Sequence, residues 1–280
     1  MLFRSSWINQ TAAFWSEHGF SCSGALGALK YRGIDLGSLI AHSLFYYYLG
    51  VLKTAVLCQK ILERSPQEIW LIDDPKGDWA SLAGIIFKSA SIPLRIFPVE
   101  SSSDGCAKSF CYKKFGKKIL SFFLKPDLKK IKPGGLLFSS ALRYATPFFD
   151  REDGPAYYLR DVFSFKGSQL GRSMGFVHLL PEYFGSKRSQ RPDLDKIWKT
   201  ADRSISQSDI FNTVTGVSLW PAMRYGVRQI FERELFKAVP WIDQLFELLE
   251  SLNPRAVVVD EDVCLFNKTL VLCANAHTIP

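Results

Sequence analysis

The chain has 280 residues, 47% hydrophobic and 14% aromatic, which excludes a globally disordered protein and supplies a core for one large α/β domain or two small ones. Its 35 Lys and Arg against 27 Asp and Glu leave a net charge of +8, which favours an anionic partner such as a nucleotide, a phosphorylated sugar, a membrane surface or nucleic acid. Of the six cysteines, Cys106 and Cys111 lack a nearby second pair for zinc, while Cys58, Cys264 and Cys273 lie in apolar runs and read as buried thiols of a reducing compartment. No apolar run with a small-residue cleavage site follows Met1-Leu2-Phe3-Arg4, so we expect no signal peptide.

Residues 1–35 are rich in aromatics and glycine, but Gly24 to Gly27 lacks the spacing of a phosphate-binding loop. Leu36 to Glu63 is the longest helical pattern. It could span a membrane on length alone, yet Ser38, His42, Ser43 and three consecutive tyrosines favour a buried core helix, with His42 a core histidine. Ile69 to Ile72 predicts a strand, ended by Asp73, Asp74 and Pro75; a helix over Trp79 to Ala90 follows, capped by Asp78, and then a strand over Leu94 to Phe97.

Lys108 to Lys132 is basic with interleaved aromatics. It reads as a crossover helix with a lysine face or, through Lys113, Lys114, Lys117 and Lys118, as a contact for an anionic membrane surface. Pro133-Gly134-Gly135 predicts a turn into a strand, Leu136 to Ser139. Residues 143–173 read as a long loop with short helices. Phe176 to Leu180 reads as a strand ended by Pro181, and residues 185–193 as a polar linker. Pro221 to Leu252 is helical, with an Arg228–Glu232 pair and a second helix starting at Pro240. Arg255 to Val259 is a β-branched strand, and Val263 to Ala276 a helix.

The last of these stretches repeats an earlier one. At an offset of 187, Pro280 falls on Pro93, Ile279 on Ile92, Asp260 on Asp73, Glu261 on Asp74 and Val259 on Ile72. Both copies read strand, acidic cluster, helix, Ile-Pro. Strand–helix–strand units imply a largely parallel α/β sheet with helices on both faces, and ligands of such sheets bind beyond the carboxyl ends of the strands. We therefore expect Ile69–Ile72, Leu94–Phe97 and Val257–Val259 to be buried strands of one sheet. Asp73, Asp74, Asp260, Glu261 and Asp262 should then gather at its carboxyl edge, where carboxylates can take a proton or hold a sugar hydroxyl. No P-loop, HExxH or GxSxG motif is present, we assign no metal site, and His178 and His277 have no evident partner.

The segment NPRAVVVDEDVCLFNKTLVLCANAHTIP resembles the end of the N-terminal Rossmann-like domain of GT-B-type bacterial glycosyltransferases of surface-carbohydrate synthesis. That group includes CDP-glycerol glycerophosphotransferase-like and UDP-N-acetylglucosamine 2-epimerase-like proteins. Pro254, Val257, Val258, Val259, Glu261, Asp262, Ile279 and Pro280 match its pattern, whereas His277 and Thr278 replace a glycine region and the Gln-His-Gly turn is absent. The resemblance implies one Rossmann-like domain over residues 1–280, with a helical N-terminal region (1–64) and a helical insertion (185–252), cut before a second, donor-binding domain. From their place at the strand ends we assign Glu261 and Asp262 as catalytic residues and Asp73, Asp74 and Asp260 as substrate-binding ones, the alternative being that they cap the following helices. No cofactor is expected on this half; a nucleotide-sugar or CDP-glycerol donor would be held by the C-terminal domain. The acceptor would be a sugar or a lipid-linked sugar at the cytoplasmic face of the membrane. The alternative is a non-catalytic membrane-surface or assembly protein; nucleic acid is disfavoured for want of a recognition motif.

Overall fold

The computed structural model describes residues 2–18, 30–73, 78–98, 132–139, 155–159, 177–181, 184, 192–212, 217–261 and 264–280. It is a mixed α/β protein with parallel sheets. In chain order the elements are α1 (Leu2–His18), β1 (Lys30–Tyr31), β2 (Ile34–Asp35), α2 (Leu36–Leu62), β3 (Ile69–Ile72), α3 (Asp78–Ser89), β4 (Leu94–Phe97), β5 (Leu136–Ser139), β6 (Ala156–Leu159), β7 (Val177–Leu179), α4 (Leu194–Ser206), α5 (Trp220–Leu252), β8 (Ala256–Val259) and α6 (Leu265–Ala276). Contacts divide the chain into two units. The first comprises residues 1–31, 35–101 and 192–235; the second comprises 32–34, 102–191 and 236–280.

In the first unit, α2 begins where the Asp35 carboxylate accepts the Gly37 amide at 2.9 Å, an N-cap that satisfies an otherwise unpaired donor. Nine of its residues, Leu36 through Cys58, are buried. Among the described helices α2 is long and apolar enough to cross a membrane by length and composition. Its Tyr48 packs edge-on to Trp15 of α1 at 5.7 Å and against Phe211 at 5.6 Å, and Phe211 stacks on Trp220 of α5 at 5.3 Å. His42 is half-buried against Tyr46, with ring centroids 4.8 Å apart. Trp79 of α3 lies over Gly50 of α2, where a Cβ would approach its ring to 2.9 Å. Asp202 of α4 is buried because it accepts from the Trp220 indole at 3.1 Å and from Arg224.

Strands β3 and β4 pair in parallel, Ile69 opposite Leu94 through Ile72 opposite Phe97, with the bounds expected from the sequence. Their burial differs from expectation. Ile69, Leu71, Leu94 and Ile96 are half-buried, but Trp70 is 66% and Ile72 75% exposed, with Phe97 exposed beside them. Asp78 is the first helical residue of α3, and its carboxylate accepts the Tyr47 hydroxyl at 2.7 Å. Burial first, and that hydrogen bond second, push the Tyr47 phenol far above its ordinary value. A Cβ at Gly226 of α5 would overlap both Tyr47 and Asp78.

In the second unit four parallel strands lie in the order β7-β6-β5-β8. The turn before β5 forms as expected. Gly134 has φ +86, open to glycine, and its amide donates to the Leu252 carbonyl at 3.0 Å; a Cβ on Gly135 would overlap the Pro155 carbonyl that pairs with Leu136. Leu136, Phe138 and Tyr158 form a core with Ala156, Ala256 and Val258 around them. Cys273 is buried and its thiol is pushed up by desolvation. Arg32 sits over the Phe246 ring at 4.5 Å and 3.7 Å from the fully buried Asp243.

Four expectations are corrected. Val257–Val259 is half-buried rather than buried and does not join the sheet of Ile69–Ile72: β8 pairs with β5, and β3 with β4. Ala156–Leu159, expected within a loop, is a strand whose Tyr157, Tyr158 and Leu159 are all buried. Pro240 starts no second helix; α5 runs through it. Cys264 is exposed and caps α6, although Cys58 and Cys273 are buried.

The repeat nevertheless holds locally. At the offset of 187, β3 falls on β8 and α3 on α6 with identical bounds. Both helices end alike. Ile92 and Ile279 each donate to a carbonyl five residues back, Phe87 and Ala274, at 3.0 Å, and Ser91 and Thr278 both have φ +58. Ile69 donates to Pro93 at 2.9 Å, and Val257, one register position later, donates to Pro280 at 2.8 Å. One local design therefore occurs once in each unit.

Candidate functional site

In the four-stranded sheet the chain fills β5, then β6, then β7 on one side, and returns to place β8 on the opposite side of β5. The strand order reverses between β5 and β8. In open parallel sheets the neighbouring crossovers diverge at such a point and leave a crevice beyond the carboxyl ends of the two strands. Ser139 ends β5 and pairs with Val259, the end of β8; Asp260 and Glu261 follow at once and are exposed.

A buried side chain ties these ends together. Asn267 lies in the first turn of α6 and is 6% exposed. Its Oδ1 accepts from Ser139 Oγ at 2.7 Å, and its Nδ2 donates to the Glu261 carbonyl at 2.9 Å and towards Asp260 Oδ1 at 3.5 Å. The Asn267 amide donates to Cys264 Sγ at 3.4 Å, so the thiol serves as N-cap. One amide thus joins the last residue of β5, the residues after β8 and the start of α6. Asp260 and Glu261 offer acceptors at an edge with exposed helix-start geometry, chemistry suited to ligand hydroxyls.

Asp260 and Glu261 stand where the sequence reading puts them. Asp73 is half-buried at the end of β3, its amide donating to the Phe97 carbonyl at 3.1 Å, in the other sheet; no single sheet edge gathers it with Asp260 and Glu261. Asp74, Asp262, Lys113, Lys114, Lys117 and Lys118 lie outside the described residues. His277 packs tilted against Phe246 at 4.6 Å, and its Nε2 is buried with no hydrogen-bond partner among the described residues. Among the described residues no group of three His, Cys, Asp or Glu could hold a metal ion. Ser139 and Asn267 were missed from sequence. The repeat carries a signal for Asn267, because Ala80 occupies its place in the first copy. No family model matches the chain, and no curated protein and no solved structure matches it.

Proposed function

We propose that this chain is the acceptor-side α/β domain of a glycosyltransferase-like enzyme of bacterial surface-polysaccharide synthesis, of Rossmann-like kind within a GT-B-type architecture. Its partner reactant would be a nucleotide-sugar or CDP-glycerol donor, and its place of work the cytoplasmic face of the membrane. The observation that supports this reading is the coincidence of Asp260 and Glu261 with the strand-order reversal between β5 and β8. In the proposed reaction Glu261 takes the proton of the attacking acceptor hydroxyl as its oxygen bonds to the transferred sugar or glycerophosphate, while Asp260 holds a neighbouring hydroxyl. The donor's bond to its nucleotide breaks, and nucleoside diphosphate (or CMP from CDP-glycerol) leaves. Asp262 and Asp74 remain candidates by sequence. Titration of the isotopically labelled protein with N-acetylglucosamine and with glycerol 3-phosphate tests the reading. Shifts confined to Ser139, Asp260, Glu261 and Asn267 are expected; binding of neither probe at that edge counts against it.

A second reading, a non-catalytic membrane-surface protein, is favoured by the contiguous apolar face of Trp70, Ile72 and Phe97, whose Trp70 and Phe97 rings lie 5.5 Å apart. Vesicle co-sedimentation of the wild type and a Trp70/Ile72 variant tests it. This reading expects binding that is lost in a W70S/I72S variant, stronger on anionic than on neutral vesicles and weakened by salt.

A further inference from the structure

The internal repeat provides a control for the residues at the β5/β8 edge. Two strand–helix pairs of the same bounds and the same helix ending share one position of the first helical turn that is buried in both: Ala80, 1% exposed, in α3, and Asn267, 6% exposed, in α6. The first copy packs its helix with a methyl group, so packing does not require a polar side chain there. A buried primary amide is unfavourable unless its donors and acceptor are met. Here both ends are engaged, and the partners dictate which way the amide faces. The Glu261 carbonyl and the Asp260 carboxylate accept, so Nδ2 must face them; Oδ1 then faces Ser139, whose hydroxyl must donate.

We propose that Asn267 is a positioning residue: locked by Ser139, it fixes the backbone at Glu261 and the Asp260 carboxylate, and so aims the acidic edge at a polyhydroxylated acceptor. The inference rests on the functional reading above for its ligand, but its structural half stands without one. If Asn267 served packing alone, the alanine found in the first copy would replace it without consequence for Glu261.

The test compares the wild type with N267A, N267D and the double variant S139A/N267A, which removes both partners of the buried hydrogen bond. Three quantities are read: the melting temperature, the backbone order parameter of Glu261, and the Kd for N-acetylglucosamine and for glycerol 3-phosphate. The double variant is expected to keep cooperative unfolding within about 5 °C of wild type, because α3 already folds with alanine at this place. The Glu261 order parameter should fall from about 0.85 to below about 0.6 in all three variants. Binding of whichever probe the wild type takes should weaken about tenfold or more, with N267D worst because its carboxylate turns an acceptor towards two acceptors. An unchanged Glu261 order parameter in the folded variants overturns the proposal. Wild type that binds neither probe defeats the functional reading, while the order parameter still decides whether Asn267 positions Glu261. A large loss of melting temperature in N267A and in the double variant alike would make the amide a stability element and overturn the proposal as well.

Discussion

Tyr47 and Tyr48 are neighbours in α2, and their hydroxyls meet different surroundings. Three consecutive tyrosines in α2 mark an apolar helix with polar tips, but not which tip finds a partner. The Tyr47 hydroxyl reaches Asp78, while the Tyr48 hydroxyl is fully buried with no hydrogen-bond partner among the described residues. Burial accordingly pushes the Tyr48 phenol far up. A buried hydroxyl without a partner costs about 1–3 kcal/mol. Y48F is therefore expected to raise stability by about 1 kcal/mol, a gain of about 2–4 °C by calorimetry; a loss of stability would mean that the hydroxyl is satisfied. Cys58 gives a pH prediction at the same scale. Desolvation raises its thiol from 9.0 to about 11. Between those values the unfolded chain has lost this proton and the folded chain still holds it, so stability falls as pH rises from about 9 to about 11. Below pH 9 the contribution is fully present. C58A should show a shallower decline in urea-derived stability across that window than the wild type, and equal slopes would contradict the burial of the thiol. Asn267 was not legible at this scale, since an amide in a helical pattern carries no mark of the strands its ends will bridge.

At the scale of elements, local pattern determined most of what was found. β3, β4 and β5 have the expected bounds, because short apolar runs between Asp, Pro and Gly allow little else. β6 was missed because Ala156–Leu159 lies between the charged stretches Asp150-Arg151-Glu152-Asp153 and Arg160-Asp161. The apolar runs IWLI and LRIF read as strands covered on both faces, yet one face of their sheet exposes Trp70, Ile72 and Phe97. Periodicity reports that a strand is apolar and is silent on what covers it. Pro240 was misjudged for a definable reason. Proline favours a helix start, but the flanking apolar stripe, with Ala238, Val239, Ile242 and Leu245 all buried, carries α5 through it. The Phe236 carbonyl then lacks its helical donor. P240A restores that hydrogen bond and is expected to stabilise the protein by about 1–3 kcal/mol in chemical denaturation; destabilisation would indicate that α5 depends on a bend at this point.

At the scale of the molecule, the repeat was legible and its placement was not. An offset of 187 links two strand–helix units down to the hydrogen bonds that end each helix, yet sheet membership depends on long-range pairing that no local pattern encodes. That pairing separates the roles of the two acidic clusters. In the first unit the nearby carboxylate of Asp78 is engaged by Tyr47 under the close approach of Gly226, and Asp73 ends a strand of a two-stranded sheet. In the second unit Asp260 and Glu261 are exposed beside the reversal between β5 and β8, with a buried amide behind them. The same motif is thus placed once in a packed setting and once beside a reversal of strand order, where parallel sheets as a class bind ligands. The proposed chemistry predicts a matching asymmetry in transfer assays of this chain joined to a donor-binding domain and supplied with nucleotide sugars and CDP-glycerol. E261Q, which keeps shape and removes the base, should lower turnover on the order of 100-fold or more with the melting temperature nearly unchanged. D73N should leave turnover within about twofold and act, if at all, on stability by about 1 kcal/mol through the end of β3. Full turnover in E261Q would remove Glu261 from the chemistry, and an equal loss in D73N would mean that the first copy of the motif, and not the reversal point, carries the reaction.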